Sequence, residues 1–500
     1  MPDHQDRLPT ALYRAAQVRE LDARLIAAGT PGFELMQRAA HAAWRALRRR
    51  WPHAGEITVL AGRGNNAGDG YLLAALAQRA GWRVRVLAVG DPAQLGGDAA
   101  LACAEARGAG VAIEAWHECA PLRGVLVDAL LGTGLSGEVR EPYAQAIRLA
   151  NASGRPCLAI DIPSGLCADS GRVLGVALRA ELTVTFIGLK LGLCCLDGPD
   201  HCGALAFADL GADPALVAPI RPAAQRLAGA ELPRLAPRPR NAHKGQFGHV
   251  LVVGGDSGFG GAALLAAESC LRGGAGLVSL ATRGEHVAAL LARRPEVMAR
   301  GVRSANEIQD LLGAADVLVL GPGAGQGAWA RSLLVGVGAL DKPQVWDADA
   351  LNLLAAGALA APRGNWLATP HPGEAARLLG CSSAEVQADR PEAALQLARR
   401  LNAVVVLKGL GTLVATPEGE LHLCDRGHPA MAGAGLGDVL AGLLGALLAQ
   451  GLAPAAAARL GVWLHACAGE RLGRGGRGLA AAELIETMRE LLEEHCPCLK

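Results

Sequence analysis

The chain has 500 residues, 51% of them hydrophobic, 19% charged and 3% aromatic, with a formal net charge of +1. That length calls for more than one domain, and the near-zero charge argues against nucleic acid or an anionic membrane as the main partner. Thirteen cysteines without a C-x-x-C pair point to reduced thiols in a cytoplasmic protein, not to a disulfide frame or a zinc site.

The first ten residues are mostly polar, and the longest apolar run, Val439 to Leu448, is too short to span a bilayer. Neither a signal peptide nor a membrane span is expected. Residues 11–50 read as helical, with Leu21, Leu25 and Ile26 and then Leu35, Met36 and Ala39 at helical spacing, broken by Gly29 to Gly32. Ile57 to Ala61 is a short apolar strand that runs into Gly62-Arg-Gly-Asn-Asn-Ala-Gly-Asp-Gly70. A helix from Tyr71 to Ala80 and a strand from Val84 to Val89 follow. This β-loop-α-β pattern belongs to a parallel sheet covered by helices. Further strands are expected at Val125–Leu131, Cys157–Ile160, Leu182–Ile187 and Ala204–Ala208. Residues 212–243, rich in Pro, Ala and Arg, contain the inter-domain linker. From Gly248 the α/β pattern restarts. Strands are expected at Val250–Val253, Val317–Leu320, Val345–Asp349, Trp366–Thr369 and Val404–Lys408, with helices at 262–271 and 439–448.

In open parallel sheets, ligands bind beyond the carboxyl ends of the strands. Polar, glycine-rich segments follow three strands of the first half, at 62–70, 128–138 and 161–165. They carry Asn65, Asn66, Asp69, Asp128, Asp161 and Ser164, oxygen-bearing groups suited to a hard cation and a hydroxyl-rich ligand. One such segment is explained by Asx-turn capping; three together are not. G-T-G-L-S-G at 132–137 fits a dinucleotide fingerprint only weakly, because Pro142 delays any helix, and no Walker A loop is present. In the second half, Gly433, Gly435 and Gly437 alternate ahead of Asp438 and an apolar helix. That places backbone N–H groups at a helix N-terminus, a ready anion site. A carboxylate at its mouth would repel a phosphate, so Asp438 is suited to taking a proton from a hydroxyl or to holding a metal. A plain glycine turn capped by Asp fits the same residues. Lys408, entering Gly409-Leu-Gly-Thr412, is a candidate phosphate contact, and His371 is held rigidly between two prolines.

These motifs resemble two known families. G-R-G-N-N-A-G-D-G, V-D-A-L-L-G-T-G and D-I-P-S-G place residues 11–217 beside the NAD(P)H-hydrate epimerase family, the YjeF N-terminal domain. With 218–224 as linker, residues 225–496 resemble the ADP/ATP-dependent NAD(P)H-hydrate dehydratase family, of ribokinase-like fold. The motifs here are H-K-G-Q-F-G-H-V-L-V-V-G-G, D-A-D-A-L-N, T-P-H-P-G-E, K-G-L-G-T and G-A-G-L-G-D-V-L-A-G. The resemblance implies an N-terminal Rossmann-like parallel-sheet domain and a C-terminal ribokinase-like domain, acting together as a bifunctional repair enzyme of nicotinamide nucleotides. It implies that Asn65, Asn66, Ala67, Gly68, Asp69, Gly132, Thr133, Gly134, Leu135, Ser136, Gly137, Glu138 and Asp161 contact the hydrated dinucleotide. Asn66, Asp128 and Ser164 would hold a potassium ion. Ala262, Gly323, His371 and Asp438 would line the hydrate site, and Lys408, Gly409, Leu410, Gly411, Thr412 and Gly437 would hold ADP or ATP with magnesium. Asp438 is expected to act as the catalytic base of dehydration, and Asp161, by position, to move the proton in epimerisation. Two departures stand out. Ala67 and Ala434 occupy positions where the family usually has glycine, and Ala67 would matter only if that position needs positive φ. The expected partners are small-molecule substrates, and a homo-oligomer is compatible with the sequence. Two other readings stay open: a ribokinase-like kinase for vitamin alcohols fused to a non-catalytic binding domain, and a scaffold without turnover.

Overall fold

The computed structural model describes residues 8–499. The chain separates into two compact units, one up to Gln225 and one from Arg226 onward. The first holds β1 (Ala11–Tyr13), β2 (Glu56–Ala61), β3 (Arg83–Ala88), β4 (Ala112–Ala115), β5 (Val125–Ala129), β6 (Cys157–Ile160), β7 (Leu182–Phe186), β8 (Leu189–Lys190) and β9 (Ala204–Ala208). A last short strand, β10 (Ala224–Arg226), reaches the boundary.

The main sheet of the first unit runs β4-β3-β2-β5-β6-β7-β9, with every neighbour parallel. Strands covered on both faces read as unbroken apolar runs, and all five residues of β5 are buried. From β2 the chain builds outward through β3 and β4, then returns to β5 and builds the other way. The carboxyl ends of β2 and β5 therefore meet where the order reverses, which is where such sheets open a crevice. The helix Asn65–Arg79 starts there. It packs closely on the helix Gly32–Arg50, because a Cβ at Gly68 would lie 2.5 Å from the Met36 sulfur.

The second unit contains β11 (His249–Val253), β12 (Leu277–Thr282), β13 (Met298–Gly301), β14 (Val317–Leu320), β15 (Gln344–Trp346), β16 (Trp366–Ala368), β17 (Val404–Leu407), β18 (Thr412–Ala415) and β19 (Leu421–Cys424). They run β13-β12-β11-β14-β15-β16-β17-β18-β19, parallel as far as β17 and antiparallel beyond it. The helices Gly260–Arg272 and Leu436–Ala449 pack face to face over this sheet. Gly442 lets them touch, since a Cβ there would meet the Ala266 carbonyl oxygen at 2.1 Å. Among the described residues no helix is long and apolar enough to cross a membrane.

The α/β architecture is as expected, with local differences. Ala11–Tyr13 is strand, not helix, because it pairs with Leu189–Lys190 on one side and Ala224–Gln225 on the other, partners far away in sequence. The first site helix begins at Asn65 instead of Tyr71, so the motif's asparagines form its first turn. The last one begins at Leu436 instead of Val439, which puts Gly437 and Asp438 inside the first turn. β15 stops at Trp346, and Asp347 caps a helix from Ala348. The strands β4, β12, β13, β18 and β19 were not anticipated; most are short or interrupted by polar residues. The segment read as linker contains the helix Pro214–Val217 and β10.

Candidate active sites

At the switch point of the first unit lies a cavity of about 700 Å³. Asn65, Asn66, Asp69, Gly132, Thr133, Gly134, Leu135, Ser136 and Asp161 line it, together with Asp22, Tyr143, Phe186 and Lys190. Ala67 and Gly68 face the domain interior, and Gly137 and Glu138 do not line the cavity. Ala67 lies inside a helix and outside the positive-φ residues, so its departure from glycine carries no strain.

Asp161 sits at φ +65, just past the end of β6. Its Oδ1 accepts from Lys190 Nζ, from Thr185 Oγ1 at 3.3 Å and from the Phe186 N–H at 3.2 Å. Lys190, almost fully buried, also donates to Thr185 Oγ1 at 3.0 Å and to the Phe186 carbonyl at 3.1 Å. No donor among the described residues takes Asp161 Oδ2. Burial, with Asp161 and Asp22 adding like charge, pushes Asp69 well above the usual carboxylate range. Burial likewise raises Asp22 to about 6, with Lys190 pulling down and Asp161 pushing up. Two acids held above the usual carboxylate range, beside a lysine-paired carboxylate, equip the cavity for general acid–base chemistry. Sequence reading missed Asp22 and Lys190. Nothing in a lone helical Asp or a two-residue strand marked them.

Beside this cavity Asp128, wholly buried, accepts from Ser164 Oγ at 2.6 Å and from the Ser164 N–H at 2.7 Å. Ser164 Oγ also accepts from the Leu131 N–H at 2.8 Å, and Asn66 Nδ2 donates to the Leu131 carbonyl at 3.2 Å. Asn66 Oδ1 is buried without a partner. The fold thus brings together the three residues expected at a cation, with a buried negative charge and an orphan oxygen.

In the second unit the carboxyl ends of β14 to β17 converge on the first turn of the helix Leu436–Ala449. Gly435, at φ +87, forms its N-cap, a left-handed position that glycine takes without strain. A Cβ at Gly437 would lie 3.2 Å from Lys408 Nζ and 3.7 Å from Asp347 Oδ2, which locates both against the helix start. Lys408 Nζ donates to Asp347 Oδ1 at 2.7 Å, and so does Thr369 Oγ1 at 2.7 Å. Glu374 accepts from the His371 N–H at 2.8 Å, while His371 Nδ1 accepts from the Gly373 N–H at 3.0 Å. Burial raises Asp438 to about 7, reinforced by Asp347 and Asp349 and opposed by Lys408. Burial also raises Glu374 to about 7, and it lowers His371 with help from Lys408. Lys408 is pulled down by burial but pushed up further by Asp347 and Glu374. Ala262 and Gly323 sit side by side, 3.0 Å from Ala262 Cβ to the Cβ that Gly323 lacks. Gly409 to Thr412 make the turn between β17 and β18, closed by Thr412 Oγ1 donating to the Gly409 carbonyl at 2.8 Å. Asp347 was visible in sequence within the expected strand Val345–Asp349 and the D-A-D-A-L-N motif, without a role; its burial against Lys408 was not.

Fold and sites together define a two-domain α/β enzyme: a Rossmann-like unit with a cavity lined by carboxylic acids, followed by a ribokinase-like unit with a half-buried aspartate in the first turn of a helix. The family described as NAD(P)H-hydrate dehydratase matches residues 250–490, and the one described as YjeF-related protein N-terminus matches residues 32–192. The bifunctional NAD(P)H-hydrate repair enzyme of Coxiella burnetii is 46% identical, covering 97% of this chain and 99% of its own. The enzyme of the same description from Escherichia coli is 44% identical, covering 92% of this chain and 89% of its own. A solved ribokinase-like superfamily protein from Enterococcus faecalis has a TM-score of 0.51 at 27% identity, covering 55% of this chain and 97% of its own. The chain belongs to the family of bifunctional NAD(P)H-hydrate repair enzymes, which pair an epimerase (isomerase) domain with a dehydratase (lyase) domain.

Proposed function

We propose that the first unit interconverts the R and S forms of hydrated NADH and NADPH, and that the second dehydrates the S form to NAD(P)H at the expense of ADP or ATP. The observation that carries this reading is Asp438. It stands in the first turn of a helix fed by a glycine loop, with its carboxyl raised to about 7 by burial. A base poised near neutrality can take a hydroxyl proton, while the N–H groups of the helix start stabilise charge on a phosphoryl group in transfer. The hydrate carries its hydroxyl on the reduced nicotinamide ring, and hydroxide leaves poorly. Transfer of the terminal phosphoryl to that oxygen, as Asp438 takes the proton, makes phosphate the leaving group. The ring nitrogen's lone pair then expels phosphate, and loss of a proton from the neighbouring ring carbon restores the carbon–carbon double bond and the neutral nitrogen. Lys408 and the Gly409–Thr412 turn hold the nucleotide; Ala262, Gly323 and His371 hold the hydrate. Asp347 and Glu374, both buried, would offer hard oxygen donors to a magnesium ion, which when bound would neutralise charge on the nucleotide's phosphates.

In the first unit, Asp161 presents its free oxygen to the hydroxyl-bearing carbon's substituents and moves the proton. The raised acids Asp69 and Asp22 give a proton to the hydroxyl as its carbon–oxygen bond breaks, the ring nitrogen's lone pair holds the cation, and water adds back to the opposite face as Asp161 takes its proton. Potassium fits Asn66, Asp128 and Ser164, because Asn66 Oδ1 is buried without a partner and Asp128 is a buried carboxylate. When bound, that ion fixes the loops that cradle the dinucleotide. No disulfide joins cysteines among the described residues, which supports a cytoplasmic setting. The epimerase reading is tested without nucleotide. One purified epimer is incubated with the protein, and the two forms are separated by chromatography. Re-equilibration faster than the spontaneous rate is expected; an unchanged rate would refute that half.

A further inference from the structure

We propose that Arg390 is the positioning residue of the nucleotide-holding turn, and that its charge is what draws the polyphosphate there. This rests on the reading of Lys408–Thr412 as the ADP/ATP site. Arg390 opens the helix Arg390–Leu401 and is 1% exposed. Charged side chains are rarely buried so fully without an opposite charge. Among the described residues, however, no carboxylate pairs with it. Its Nη2 donates instead to three main-chain carbonyls, of Leu407 at 3.4 Å, Lys408 at 3.2 Å and Gly411 at 3.4 Å. Its Nη1 donates to Gln387 Oε1 at 3.0 Å. The guanidinium therefore fills the inside of the turn joining β17 to β18. Gly409 suits this turn because its φ of +132 is one that L side chains rarely adopt, and a Cβ there would lie 2.7 Å from Arg390 Nη1.

Two consequences follow for a ligand. A trans peptide points its N–H opposite to its carbonyl. With the Lys408 carbonyl drawn in to Arg390, the N–H of the exposed Gly409 faces away from it and meets no acceptor among the described residues, so an anionic oxygen can reach it. The second consequence is electrostatic. The charge of Lys408 is already matched by Asp347 at 2.7 Å. Arg390 is matched only by dipoles, so the net positive potential of the turn comes from it, and buried charge is weakly screened.

The test uses the full chain with purified S hydrate, varying ADP at fixed hydrate and then the reverse, with the ADP-induced rise in melting temperature measured alongside. Arg390→Met is expected to raise KM for ADP about tenfold to a hundredfold, to shrink the rise in melting temperature at a fixed ADP concentration, and to leave KM for the hydrate within about twofold. Arg390→Lys keeps the charge but not the planar fork, and falls between. Gln387→Met, which removes one acceptor of the guanidinium, moves KM for ADP a few-fold the same way. If Arg390→Met does not fold, the other two variants decide. An unchanged KM for ADP in folded variants overturns the proposal, as do equal rises in both KM values. If wild type shows neither nucleotide-dependent turnover nor an ADP-induced rise, the nucleotide reading itself fails, and this inference with it.

Discussion

The pair of Lys408 and Asp347 gives the sharpest stability prediction. Asp347 has 2% of its side chain exposed, Lys408 21%, and they meet at 2.7 Å. Lys408→Met leaves the buried Asp347 carboxyl without its cation, with only the Thr369 hydroxyl donating to it. Stranding one partner of a buried pair costs about 3–5 kcal/mol. Because Lys408 is partly open to water, the lower end is expected, about 3 kcal/mol. For a unit of this size that lowers its melting temperature by roughly 6–12 °C. Replacing both, Lys408→Met with Asp347→Leu, removes the stranded charge. Thr369 Oγ1 keeps the Trp346 carbonyl, at 3.2 Å, as an acceptor. The double variant should therefore recover most of the loss, leaving a coupling of about 2 kcal/mol or more. Urea denaturation of wild type, both single variants and the double variant, followed by tryptophan fluorescence, measures the cycle. Trp346 and Trp366 pack edge to face beside the site and report this unit. Additive losses, or a double variant no more stable than Lys408→Met, would refute the assignment of Lys408 and Asp347 as a coupled buried pair.

Three further outcomes are expected. Dehydration needs Asp438 ionised, so with its carboxyl raised to about 7 the rate should fall as pH drops through neutrality and stay level above it. A flat profile from pH 5 to 8 would count against Asp438 as the base. Lys190→Met strips Asp161 of its buried partner and should slow epimerisation about 10²–10⁴-fold, while dehydration of pure S epimer continues at the wild-type rate. Gly442→Ala drives a methyl to within 2.1 Å of the Ala266 carbonyl oxygen. It should cost about 1–3 kcal/mol or more in denaturant unfolding of the second unit.

Much of this was legible in the chain because the sites are made of loops with strong local signatures. A glycine run after an apolar strand marks a strand end, and parallel topology gathers strand ends on one side. Asn66, Asp128 and Ser164 were predicted from three separate motifs, and the fold brings them around Leu131. What stayed hidden depends on distance along the chain. Lys190 reaches Asp161 through a two-residue strand, β8, that exists only because it pairs with β1. Asp22 looks like the polar side of an amphipathic helix next to Leu21. Arg390 begins a helix with the composition of a solvent-facing one, and only the tertiary structure turns it inward. The charge states of Asp438 and Glu374 were equally hidden, since burial sets them and burial is not a local property.

The central claim is that both halves act on one damaged cofactor. Its most direct test is recovery of the reduced-nicotinamide absorbance when purified protein meets a mixture of both NADH-hydrate epimers with ADP or ATP, magnesium and potassium, beside Asp438→Asn. Complete recovery in wild type and none in the variant is the predicted result, because a dehydratase alone would stop when the S form is used up. Recovery that stalls part-way would contradict the epimerase half. No recovery, with phosphorylated product accumulating on another alcohol, would contradict the whole account and leave a small-molecule kinase in its place.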